Sequence, residues 1–324
     1  MTCVSGAGYA ARILRGFARM SKRLVFLFAL AVSLAPSTAR AGKYDVDLTP
    51  LGSIPDGGTE VQQDNAAFRS LSSEIGVLTA PKPVDPADTL GISGFAVSAD
   101  VSINTISGDE SFWTETTDNP NNIVPTLQLV GRKGLYPGIE IGGGATHVFD
   151  SKMWTVGGYA KIAFHEGFYK GLPYVPSIAV RGHFGQLLGS KDLKMTTVGV
   201  DGTISHVFGV GSTFNITPYV GYQALLIIAR SGVLDATPDT DEYPDGYLDP
   251  PTGEEDLQSE FVFKRQDVIL RHRPFVGVRF VFSVLRFGVE AMFVPGGSSE
   301  DSALSATDES GFQQQYTVTL GLDF

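Results

Sequence analysis

Ten ionisable side chains recur at every second position between apolar neighbours: Asp100, Glu140, Lys161, Arg181, His183, Asp201, Arg271, Arg273, Arg279 and Glu290. Gln128, Arg132 and Gln223 follow the same spacing. A period of two places such residues on one face of extended strands. If that face turns inward, two kinds of chemistry are open to it. Opposite charges can pair and close a narrow lumen, or they can line a path for a charged solute. Arg271, Arg273 and Arg279 lie on one segment as a cationic stripe, and stripes of this kind set ion preference in pores. A lumen closed by ion pairs is the favoured expectation, because a barrel of about ten strands is little wider than its own side chains.

Other chemistry finds less support. The five histidines, His147, His165, His183, His206 and His272, lack ligand spacing, so no metal or cofactor is expected. No G-x-S-x-G nucleophile context occurs, and an enzyme working at the rim of a barrel is the less favoured class. Between Asp235 and Glu260 stand ten acids and four prolines, with no Lys, Arg or His. That composition describes a solvated loop. Asp239, Asp241, Asp245 and Asp249 are weak Ca²⁺ candidates there, since Tyr243 interrupts the EF-hand pattern. The same loop leaves surface recognition or adhesion as a further alternative.

The elements that must position the inward face are strands. Alternation begins near residue 93 with Phe95, Val97, Ala99, Val101 and Ile103. It recurs around residues 127–129, 139–146, 154–165, 177–184, 197–208, 214–223, 276–282, 285–293 and 316–324. This predicts an all-β chain: a transmembrane antiparallel up-and-down barrel of about ten strands, with eight or twelve open to a slip in the count. Tight joins near Leu135–Gly138, Gly209–Gly211 and Ser283–Val284 alternate with long polar ones near 107–122, 231–262 and 296–311. Outer-membrane barrels pair short periplasmic turns with long external loops and keep both termini inside. Mean hydropathy is only +0.07, which excludes a bundle of apolar spanning helices but not a barrel. A secreted sandwich would alternate too. The length of the strands and the aromatic residues at their ends favour the barrel.

The first 41 residues read as a cleaved signal peptide. Lys22 and Arg23 precede an apolar core from Leu24 to Ala35, and Ala39–Ala41 offers an A-x-A site. Two starts are open, Met1 and Met20. Cys3, the only cysteine, falls in this segment. Removing its six basic residues from the 24 leaves 18 against 35 acids, a net charge of −17, unsuited to nucleic acid. Residues 42–92 form a second region, ahead of a barrel over 93–324. Asp64 is an N-cap candidate, Phe68, Leu71, Ile75 and Leu78 share one helical face, and Pro81, Pro83 and Pro86 end the helix. This short amphipathic helix could plug the lumen, sit below the barrel or lie on the membrane, with a packed linker favoured over a functional plug.

The chain closes on Tyr316, Val318, Leu320, Leu322 and Phe324, apolar or aromatic at every second position and ending in Phe. This resembles the assembly signal of Gram-negative outer-membrane barrels. The resemblance implies export to the cell outer membrane, contact with its lipid and lipopolysaccharide, and recognition by the barrel-insertion machinery. A porin-like monomer follows as the expectation: a narrow passive channel for small solutes or a structural barrel.

Overall fold

A computed structural model describes residues 42–55, 61–165, 175–210, 214–236 and 260–324. The proposed signal peptide and the four aspartates of the acidic loop lie outside the described residues.

Ten antiparallel strands close into a barrel. They are β1 (Phe95–Thr105), β2 (Ile123–Tyr136), β3 (Ile139–Val148), β4 (Trp154–His165) and β5 (Ser177–Leu188), followed by β6 (Leu193–Ser205), β7 (Phe214–Ser231), β8 (Ile269–Phe282), β9 (Leu285–Val294) and β10 (Gln313–Asp323). Each strand pairs with the next in sequence, and β10 returns to β1 with Val318 opposite Val101. Phe324 completes the closure: its N–H donates to the Phe95 carbonyl at 2.7 Å, and the Phe95 N–H returns a bond at 2.9 Å. Closure removes the sheet edges that an open sheet would expose.

The pleat sorts side chains inside out relative to a soluble barrel. Outward positions are apolar and exposed, as with Val200 at 55% and Leu320 at 64%. Inward positions on the same strands are polar and buried, including Asp100, Gln128, Asp201 and Gln223. A soluble sandwich requires the opposite arrangement, whereas an outward apolar band over a polar interior suits hydrocarbon surroundings. Phe95 and Phe324 stack at the short-turn end, and Trp154 stacks on His147 near the opposite rim.

The lumen is not left to the wall. Helix α1 (Asn65–Thr79) runs inside it, with Phe68, Leu71, Ile75 and Leu78 fully buried. Its start is fixed by Asp64, whose carboxylate accepts from the Ala67 N–H at 2.8 Å. Its end follows from Pro81, which drives Ala80 into extended backbone (φ −58°, ψ 143°). A strap over residues 80–90 then continues down the lumen, and Lys82 to Thr89 are all buried. Of the placements open from the sequence, the segment therefore occupies the lumen.

One glycine of the wall and one of the helix allow this close approach. A Cβ at Gly185 would meet Pro81 of the strap at 3.1 Å, and one at Gly76 would strike Ile227 of β7 at 2.5 Å. The helix thus lies directly against the wall.

Entry is from the long-loop end. Tyr44 donates its N–H to the Asp150 carbonyl, and Asp47 to that of Thr116; both acceptors lie beyond strand ends on the long-loop side. The strap leaves at the short-turn side, where Gly134 donates to the Gly94 carbonyl. The barrel itself begins and ends on the short-turn side, where Phe95 bonds to Phe324. The first described residue, Gly42, lies at the end opposite Phe324, because residues 64–90 cross the barrel once before β1 begins.

Candidate functional site

The candidate site is the interior contact between the strap and the wall. Asp85 is its centre. Its Oδ1 receives Arg132 at 2.6 Å, Arg286 at 3.3 Å and Arg279 at 3.4 Å, and its Oδ2 receives Lys161 at 2.7 Å. These four cations come from β2, β9, β8 and β4, so one carboxylate ties four strands to the strap. Arg279 also pairs with Asp88. Such a cluster holds only while the carboxylate stays, since buried cations left unpaired are costly.

The strap backbone is held as well. Val84 donates its N–H to Glu290 at 3.0 Å, and the Tyr219 hydroxyl donates to the same oxygen at 3.0 Å. Arg181 donates to the Pro83 carbonyl at 2.9 Å while pairing with Asp201 at 2.9 Å. Glu140 accepts from the Leu90 N–H at 3.1 Å and pairs with Lys161 at 3.2 Å. Val84 has φ +41°, a left-handed conformation that a β-branched residue adopts only under constraint.

Above the strap, the polar face of α1 is met by the long loops. Glu74 is fully buried. It accepts from Ser107 N–H at 2.9 Å, Ser107 Oγ at 2.6 Å, Trp113 Nε1 at 2.7 Å and Gly311 N–H at 3.1 Å. Trp113 sits on the short helix α2 (Ser111–Thr114) of the first long loop. Arg69 donates to the Asp267 carbonyl at 3.0 Å and the Ser299 carbonyl at 3.1 Å. Asp301, nearby, accepts from the N–H groups of Asp267, Ala303 and Leu304, which hold its carboxyl below the usual carboxylate range. Three loops thus close over the polar face of the helix.

All ten ionisable residues singled out by spacing are buried in the interior. Lys161 and Arg279 converge on Asp85, together with Arg132. Arg181 and Asp201 form a separate pair. Asp100 receives Gln128 at 3.3 Å, and His183 has no hydrogen-bond partner among the described residues. The stripe on β8 faces inward but does not line an open path. Arg271 donates to Ser73 of α1 at 2.6 Å, Arg273 to Gln315 at 2.9 Å, and Arg279 to the strap. Gln315 in turn donates to the Val77 carbonyl of the helix at 3.0 Å. Beside the strap, a cavity of about 30 Å³ lined by Lys82, Asp100, Arg132, Tyr159 and Arg286 remains, room for roughly one or two waters.

No group of three or more potential ligands gathers for a metal among the described residues. Tyr316, Val318 and Leu320 face outward from β10. Sequence reasoning missed Asp85, Asp88, Arg286 and Glu74. Arg286 lay in the alternation and had a findable signal. The two strap aspartates lie in a segment without periodicity.

No protein-family model and no curated protein matches this sequence. Solved structures similar to it include the attachment invasion locus protein Ail of Yersinia pestis, at 9% identity and TM-score 0.26, covering 72% of this chain and 99% of Ail. The transport unit of the Escherichia coli autotransporter AIDA-I gives 10% identity and TM-score 0.35, covering 81% of this chain and 98% of that one. The Acinetobacter baumannii outer membrane protein Omp33 gives 9% and 0.24, covering 72% and 100%. The fold rests on the strand pairing of the chain itself.

Proposed function

We propose that this chain is an outer-membrane barrel held shut by its own N-terminal segment, and that it serves as a narrow passive channel for small solutes once the strap is displaced. The observation carrying this reading is the Asp85 cluster, in which four wall cations close on one carboxylate of a non-wall segment. A purely structural barrel could fill its lumen with wall side chains alone; here Gly185 of the wall leaves room for Pro81 of the strap.

The apolar outer face supports the membrane setting, and with it contact with lipid and lipopolysaccharide. In that setting the long loops face outward, so residues 42–55 lie on the exterior side. The terminal strand from Tyr316 to Phe324 serves as the signal to the insertion machinery, and residues 1–41 as the export signal.

Planar-bilayer recording tests the channel. The wild-type protein is expected to be silent, and Asp85→Ala to show discrete single-channel steps. Absence of steps both in Asp85→Ala and in a variant lacking residues 64–79 would leave a structural barrel. Stable steps from the wild type would refute closure.

A further inference from the structure

We infer that the wall cluster of Arg132, Lys161, Arg279 and Arg286 is a binding site for a small oxyanion, of carboxylate or phosphate chemistry, which Asp85 occupies while the strap is seated. The inference rests on the plugged-channel reading above and names the solute class for it.

Three observations carry it. First, the occupant and the site belong to different parts of the chain. The cations are fixed on four strands, whereas Asp85 belongs to a strap whose lumenal run has no regular structure. The carboxylate sits as a ligand would, with both oxygens engaged by cationic donors. Guanidinium groups have the planar fork that matches carboxylate and phosphate oxygens.

Second, the wall is short of negative charge without the strap. Glu140 remains beside Lys161 at 3.2 Å, and Asp323 lies 3.8 Å from Arg132 and 3.6 Å from Arg286. Among the described residues, two wall carboxylates then face four cations, and Arg279, whose ion pairs there are both with the strap, loses both. The Nε atoms of Arg132, Arg279 and Arg286 also lack hydrogen-bond partners among the described residues. The cluster therefore has more donors than one carboxylate uses.

Third, the seated strap is strained at Val84, next to Asp85, with φ +41°. An anion that binds the vacated cluster shifts the balance toward the released strap, to the extent that it binds that state better. The solute thereby competes with Asp85 for its own passage.

Anion rescue of Asp85→Gly tests this without requiring conduction. The purified variant is followed by cold-SDS gel mobility against temperature, in sodium formate, acetate or phosphate, and in chloride at matched ionic strength. Formate or phosphate is expected to raise the conversion temperature of Asp85→Gly by several degrees relative to chloride, leave wild type unchanged, and lose its effect when Arg279→Ala is added. If Asp85→Gly does not refold in chloride, refolding yield in formate replaces conversion temperature as the readout. Equal behaviour in all four salts would overturn the site, whether or not the variant conducts. In a second arm, Asp85→Ala channels under a KCl gradient are expected to prefer chloride over potassium and to be blocked by phosphate. Cation-preferring, phosphate-insensitive steps would overturn the site while leaving the plug reading intact. Anion rescue of a silent variant would uphold the site and count against the channel.

Discussion

The two halves of the plug are held by different forces. Helix α1 is seated mainly by packing: Phe68 stacks on Phe263 with ring centroids 4.4 Å apart, and Leu71, Ile75 and Leu78 lie in the same apolar cluster. The strap's Val84 and Ala87 are buried but lie outside that cluster, and the strap is seated by charge, with Asp85 at the centre. Packing is spread over many contacts, so losing one leaves the rest. A charge cluster around one carboxylate concentrates its stability in a single residue. The upper half of the plug is therefore the anchor and the lower half the releasable part.

Substitutions can break this contrast. The largest effect is expected from Asp85→Ala, which leaves four buried cations without their common partner. It should cost about 3–5 kcal/mol in denaturant unfolding of the refolded barrel and introduce conductance. Glu74→Gln should cost less, about 1.5–3 kcal/mol. The amide puts a donor where Ser107, Trp113 and Gly311 already donate, and tryptophan fluorescence would report the loosening around Trp113. Because Asp85 still holds the strap, this variant should remain silent in bilayers. Conductance from Glu74→Gln comparable to that of Asp85→Ala would erase the distinction between anchor and release. The smallest effect is expected from Asp64→Ala, which removes the helix cap for about 1 kcal/mol. Faster amide exchange confined to the first turn of α1 would show it, with no change in conductance.

Much of this was legible in the chain because it is periodic. Ten alternating segments and the tight joins between them specify the barrel. Asp64, the Phe68–Leu78 spacing and Pro81 specify the helix. Inward-facing charges such as Lys161 and Arg279 were found by the same period. The strap was not, for a physical reason. Asp85 is recognised by residues 47 to 201 positions away, brought together only by closure of the sheet, and no local pattern marks a carboxylate that will meet four cations. The side from which residues 42–55 enter was not legible for a related reason. Loop parity fixes the ends of the strands, but says nothing of a preceding segment that crosses the lumen. Inward glycines such as Gly185, apposed to Pro81, were the available hint that the wall leaves room for something else.

The seating of α1 against the wall is open to a direct measurement. Cys3 is the only cysteine in the sequence, so a pair introduced as Gly76→Cys and Ile227→Cys in the chain beginning at Gly42 would be alone there. A Cβ at position 76 falls within 2.8 Å of three side-chain carbons of Ile227, and the shorter cysteine at 227 relieves that crowding. The refolded protein is oxidised and digested, and the linked peptides are identified by mass spectrometry. A near-complete 76–227 disulfide, with the conductance of an Asp85→Ala background the same before and after its reduction, is the expected result. Free thiols at both positions in the folded, SDS-resistant barrel would contradict a helix seated in the lumen.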